Sequence, residues 1–416
     1  MQHATEHDGI AELFTPMGRD FAQNPYPVYA KLQALEQPYF HEPMGIWMLS
    51  RFADVEQAAR NSTLVRSLDA FMRPVEVEQV RRAMNWHDMP NHSRFVQSSM
   101  LDSDGEAHRR LRMLVMREFS RGFVAHHRGM IQKYVDKLLD TLIETRHIDF
   151  IADLAAHVPG HIIGNILGVA DEDCAQLRKW SEDVVQFFDV DRNDTHKQMA
   201  ERATTEFYHF LTDLIALRTK QPKEDLISSL IGAKRAGEIS ETELISTCML
   251  ILMAGHGSTI DVLGTGMYNL LRHPDQAKQL GSNPSIISTA VQEMFRFESP
   301  LPFFHRYATE PITVMGQEYP VGTKFGLLYG AANRDSRVFD QADKFDITRL
   351  PNRHVAFGRG AHLCLGNNLS RLDMEIIFHT LWQRVASIEL MDSEPTYKQG
   401  LSVRGLVNLQ VSLQAK

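Results

Sequence analysis

The stretch FGRGAHLCLG, residues 357–366, holds one of the chain's three cysteines, two positions after a histidine and among three glycines. A cysteine there can fill a core, attack as a nucleophile or hold a metal ion. Burial tendency makes the core filler the default for a lone cysteine. Gly358, Gly360 and Gly366 nevertheless leave the surrounding backbone unusually free. They also leave room for something flat and large to approach the main chain. A nucleophile would need a base, which His362 could supply, although the glycine pattern does not point to a protease or a transferase.

The rest of the composition narrows the setting. At 416 residues the chain can bury a large core. It is 43% hydrophobic and 23% charged, as ordinary globular proteins are. Its 44 basic and 52 acidic residues leave a net charge of −8, which argues against nucleic acid as the main partner. Cys174, Cys248 and Cys364 are too few and too scattered for a disulfide framework, so a reducing compartment is expected. The first twenty residues show no basic start followed by an apolar run. The longest apolar run, ISTCMLILMAG, is short for a bilayer span. The expectation is a cytoplasmic protein without a membrane partner.

Helical periodicity dominates, at 105–119, 130–144, 198–218, 285–297 and 367–385. A long helix is predicted from the cap-like SETE at 240–243 to about Leu271, where His273-Pro274 stops it. Alternation at 45–50 and 312–330 predicts a few strands. The fold class expected is mainly α with small antiparallel β-sheets, built as a single domain over 1–416. Residues 66–104 and 183–197 lack a clean period and read as mobile loops.

With that frame, a thiolate holding heme iron suits the glycine turn best. It needs deprotonated sulfur, amide donors around it and little bulk against the porphyrin. FGRGAHLCLG resembles the heme-binding signature of the cytochrome P-450 superfamily, in its soluble bacterial branch. The resemblance runs from NPYPVYAKL (24–32) to LSRLDME (369–375). It implies the cytochrome P-450 fold, heme b as cofactor and Cys364 as the iron ligand, with Phe357 and Gly366 in the cofactor-binding turn. EMFR sets Glu293 and Arg296 three apart on one helical face; spacing alone would make them a surface ion pair. By resemblance they are a buried structural pair, completed by Arg349. His108 and Arg112 share a helix face, and the resemblance assigns them, with Arg306 and His362, to the heme propionates. Arginine's planar fork suits carboxylates.

The segment LILMAGHGSTIDVLGTG, 250–266, resembles the family's oxygen-binding helix, with Ala254 against the heme. Here it departs from the family pattern. Gly257 stands where the usual acid would be and Ser258 where the usual threonine would be, followed by Thr259. Ser258 and Thr259 are the candidate catalytic proton-relay groups. Three explanations for the absent acid stand open: water by Gly257, organised by Asp261; a polar group of the substrate; or an oxidation that tolerates slow proton delivery. His256 is expected in a polar network rather than on iron.

Leu301, Phe303 and Phe304 are candidates for the substrate pocket, with Phe71, Met72, Met84, Trp86, Met89 and Phe95 forming a lid over an apolar ligand. The implied activity is a monooxygenase inserting oxygen from O2 into an apolar organic substrate, with natural-product tailoring as the class. No flavin or iron–sulfur motif is present, so electrons would come from NAD(P)H through a separate ferredoxin or flavodoxin. Arg109, Arg110, Arg117 and Arg359 are candidates for its docking patch. The alternatives are a peroxide-driven or radical-coupling oxidase and a non-catalytic heme sensor or ligand carrier.

Overall fold

A computed structural model of the protein describes residues 9–188, 192–391 and 394–416. The extreme N-terminus, where no leader is expected, and positions 189–191 of the expected 183–197 loop lie outside the described residues. The backbone gathers into two compact units. The first takes in residues 9–64, 127–156 and 258–416, and the second 65–126 and 157–257.

The first unit carries the strands. Tyr39–His41, Ile46–Leu49, Lys324–Leu328 and Phe303–Ala308 lie side by side in that order. The pairing of Ile46–Leu49 with Lys324–Leu328 is parallel, with Trp47 opposite Phe325. The long connection between them permits this, whereas the short link between Tyr39–His41 and Ile46–Leu49 gives an antiparallel pair. The predicted alternation at 312–330 includes a small hairpin, Ile312–Val314 against Gln317–Tyr319. Met315 and Gly316 make its turn, both with positive φ, as two-residue hairpin turns require. Phe52, Val55, Phe325, Leu327, Phe339 and Val355 form an apolar core beneath the sheet. Three helices complete the parts needed below: Gly257–Arg272, which enters from the second unit, Ile287–Phe297, and the cysteine helix, Asn367–Arg384.

The second unit is helical. The 66–104 region is more ordered than its sequence promised, because Pro74–Ala83 and Pro90–Phe95 are helices. Each begins with proline, whose fixed φ suits the first helical position. Glu76 also reaches back to the backbone N–H of Arg73, closing the first helix's N-terminus. Similarly, Asn193 caps the helix Asp194–Lys220, so part of the expected 183–197 loop is helix.

The predicted long helix is present in two segments. Glu241–Ala254 opens with the SETE capping box, and Gly257–Arg272 follows a turn at Gly255-His256. Two stretches, 150–167 and 241–272, are long and apolar enough to cross a membrane by length and composition. Shares of 67% and 72% of these windows are buried inside the protein, the pattern of core helices.

Asp373 on the cysteine helix is buried, and its Oδ1 has no hydrogen-bond partner among the described residues. Burial therefore raises its pKa well above the ordinary aspartate value. The folded state holds the proton that the unfolded chain releases, so stability should fall as pH rises from about 4 through the raised pKa. Asp373→Asn should flatten that slope and raise stability at neutral pH, as measured by thermal unfolding across a pH series.

Candidate heme site

The glycine turn is built before the sulfur is placed. Gly358 and Gly360 have φ of +69° and +72°. A Cβ on Gly360 would lie 2.5 Å from the Ala59 carbonyl oxygen, so this position needs glycine for space as well as for conformation. Residues 360–362 make one short helical turn, and the Cys364 N–H donates to the Phe357 carbonyl at 2.8 Å. Asn367 Nδ2 then donates to the Cys364 carbonyl at 2.7 Å. The thiol is thus fixed just ahead of the cysteine helix, where the N-terminal dipole favours negative charge. Cys364 is half-buried, and a Cβ on Gly366 would meet open space.

Neighbouring side chains hold the turn. Phe357 packs against Phe295, ring centroids 4.4 Å apart, and the Arg371 guanidinium lies 4.4 Å from its centroid. Burial lowers the pKa of Arg371, and the nearby Cys364 charge opposes that shift. His354 is buried and stacked on Phe295; burial lowers its pKa to about 3, so the ring is neutral. Its Nε2 lies 2.9 Å from Gln292 Oε1, and its Nδ1 accepts from the Ala356 N–H. Asn333 Oδ1 takes the Val355 N–H at 2.7 Å. Sequence reasoning missed Asn333, His354, Asn367 and Arg371. Only Asn367, a polar residue at the first helical position, carried a local signal.

Behind this turn, Glu293, Arg296 and Arg349 come together. Arg296 donates twice to the Glu293 carboxylate at 2.8 Å, and Arg349 Nε lies 3.2 Å from it. The Asp346 N–H and Asn352 Nδ2 add two more donors, at 2.8 and 3.0 Å. Arg296 also ties down the carbonyls of Asn333, Ala342 and Lys344. Glu293 and Arg296 are wholly buried, so the pair is no surface bridge.

The propionate candidates lie in both units. Arg306 is buried on the strand 303–308, with Nη1 on the His305 carbonyl at 2.8 Å, and His362 is half-buried in the cysteine turn. His108 and Arg112 are on the helix Gly105–Met116, buried and half-buried respectively. Among the pocket candidates, Phe303 packs over Gly326, and Phe304 packs against the sheet core near Tyr329. Leu301 precedes the strand and is half-buried.

On the predicted oxygen helix, Ala254 is exposed although Ile251, Leu252 and Met253 before it are buried. A Cβ on Gly257 would meet nothing within 4 Å. Ser258 is half-buried, and its hydroxyl has no hydrogen bond to any described residue. Thr259 is turned away from that opening: its Oγ1 donates to Ser370 Oγ on the cysteine helix at 3.1 Å. Asp261 is held by Lys398 Nζ at 2.7 Å and lies against Gly405. Its Oδ1 is therefore committed to that ion pair. His256 is buried, with Nδ1 on the Leu252 carbonyl at 2.8 Å, and burial lowers its pKa to about 4. The expected basic patch is also reduced. Arg110 is bound to Glu243 and to the Glu238 carbonyl, and Arg359 to Glu56 and the carbonyl of His354.

A lone thiol at a helix start, a glycine turn with space beside it, and an opening along a buried helix are the parts that a thiolate-bound porphyrin needs. These residues fit the group. The family description "Cytochrome P450" matches residues 75–283 and 285–414. A biotin biosynthesis cytochrome P450 of Bacillus subtilis (strain 168) is 32% identical over 398 residues, 95% of this chain and 98% of that protein. The polyketide biosynthesis cytochrome P450 PksS of the same organism is 30% identical, over 96% of this chain and 98% of that one. The solved structure of P450BioI with an acyl carrier protein carrying hexadec-9Z-enoic acid superposes with a TM-score of 0.88, at 31% identity over 95% of this chain and 99% of that one. The chain belongs to the cytochrome P450 family of heme enzymes, and its activity is that of a monooxygenase.

Removing the Glu293 charge strands the buried Arg296 and the half-buried Arg349. Glu293→Gln should cost about 3–5 kcal/mol. Thermal unfolding and the heme content of the purified protein check this together.

Proposed function

We propose that this P450 inserts one oxygen atom from O2 into an elongated, largely apolar organic substrate in natural-product tailoring. Heme, held by Cys364 with His108, Arg112, Arg306 and His362 at its carboxylates, supplies dioxygen activation when bound. The observation that carries the reading is the rigid glycine turn that presents Cys364 at a helix start. The relatives' names support the chemistry. Two serve biotin and polyketide biosynthesis, and another structure holds myristic acid, a myxobacterial CYP267B1 at 32% identity with a TM-score of 0.88.

The chain's own part in proton delivery falls to Ser258. Its Oγ has no hydrogen-bond partner among the described residues, and the space left by Gly257 admits water or a polar group of the substrate. Thr259 ties this helix to the cysteine helix and acts as a positioning residue. Electrons come from NAD(P)H through a separate ferredoxin or flavodoxin in the cytoplasm. It docks at Arg109 and Arg117, beside Met113 and Met116, which are 60% and 44% exposed on the same helical stretch. The empty acid position also favours a second reading, oxidation driven by hydrogen peroxide. Turnover with peroxide alone, faster than with NAD(P)H and a ferredoxin system, would select it.

Three results test the proposal. Cys364→Ser should abolish the red-shifted absorption of the ferrous carbonyl and the substrate-dependent NAD(P)H consumption. Ser258→Ala should lower product formed per electron pair several-fold without changing substrate affinity. Gly257→Glu should fold normally, because nothing lies within 4 Å of its Cβ position, and should raise that coupling.

A further inference from the structure

In the second unit, buried polar atoms without partners gather in one place. Trp86 Nε1, His92 Nε2 and Gln97 Oε1 are shut off from solvent, and none has a hydrogen-bond partner among the described residues. Unsatisfied buried groups cost stability, so folding does not collect them without return. His92 meets both of the others. Gln97 Nε2 lies 3.2 Å from His92 Nδ1, and the Trp86 and His92 rings meet edge-on with centroids 6.1 Å apart. Phe187 and Phe188 stand against both rings. The backbone beneath is fixed, because the N–H groups of Asn91 and His92 donate to the Glu201 carboxylate at 3.0 and 2.9 Å.

The hydrogen-bond roles follow from this geometry. With the Gln97 amide donating to Nδ1, the imidazole hydrogen sits on Nε2. Burial holds His92 neutral, with a pKa of about 3. The cluster therefore offers two N–H donors, from Trp86 and His92, and one acceptor, Gln97 Oε1. Two donors suit the lone pairs of a carbonyl oxygen, and the acceptor suits an adjacent N–H or O–H. The position is equally informative. Ser246 Oγ on the helix Glu241–Ala254 donates to the Phe95 carbonyl at 2.7 Å, packing this segment on the helix that ends at the exposed Ala254. Eight helical residues separate those two points, about 12 Å.

We propose that Trp86, His92 and Gln97 form a subsite for the polar end of the substrate, an uncharged carbonyl group carrying its own N–H or O–H, such as a carboxamide. The subsite rests on the substrate reading given above and defines that substrate more closely: an apolar body with a neutral polar head. Because the three atoms are closed to solvent, the segment must open to admit the head. Asn85 and Asp88, both in the left-handed region with φ of 60° and 57°, bracket Trp86 and His87 where the backbone can turn.

The test uses holoenzyme and three probes: decanamide, decanoate and decane, followed by the shift of the heme absorption band. Wild type should bind decanamide about tenfold more tightly than decane, as two or three hydrogen bonds provide, with decanoate between them. Trp86→Phe and Gln97→Leu should each bring the ratio of decanamide to decane affinity close to one. Without ligand, Trp86→Phe should melt no lower than wild type, since it deletes an unsatisfied buried N–H, whereas Gln97→Leu also deletes the bond to His92 Nδ1. A Trp86→Phe protein that melts several degrees lower would show that the indole N–H has a structural partner and would overturn the subsite. A shift that is equal for decanamide and decane would overturn the subsite and leave the monooxygenase reading intact. No shift with any probe would count against both.

Discussion

The buried Glu293 carboxylate organises the cysteine side of the first unit. It receives two arginines, an asparagine amide and a backbone N–H, so each lone pair is used in a place water does not reach. A buried ion pair of this kind adds little net stability over a well-packed apolar core, but losing one partner is severe. What it provides is position. Through Arg296 it fixes the carbonyls of Asn333, Ala342 and Lys344, and Asn333 in turn holds Val355, two residues before Phe357. The thiol is placed by this chain of contacts rather than by its local turn alone.

A second constraint lies on the oxygen helix. Small residues at 254–258 keep part of a buried helix open, at a cost in helix propensity that packing must offset. Gly257 carries no side chain there, and the acid one turn on, Asp261, is engaged by Lys398. Ser258 is left as the open alcohol. In the proposed mechanism, proton movement depends on what fills the space beside Gly257. The unsatisfied cluster at Trp86, His92 and Gln97 is consistent with a substrate that brings its own polar atoms.

The cysteine turn was legible because its requirements are local: positive φ at Gly358 and Gly360 and minimal bulk leave few residue choices. The SETE cap and the proline that ends the long helix were legible for the same reason. The helices inside 66–104 were not, since short helices draw their stability from packing rather than from periodicity. The spacing of Arg110 and Arg359 looked like free surface charge, and only the fold brought Glu243 and Glu56 to meet them.

The sequence by itself determined the ligand turn, the capped helix beside it and the family that both define, since backbone sterics and short spacing act within a few residues. Tertiary structure alone decided which of two adjacent alcohols stays open, which acid is consumed in an ion pair, and where buried polar atoms lack partners. Those outcomes depend on groups far apart in the chain, Thr259 with Ser370 and Asp261 with Lys398, whose meeting no local pattern encodes.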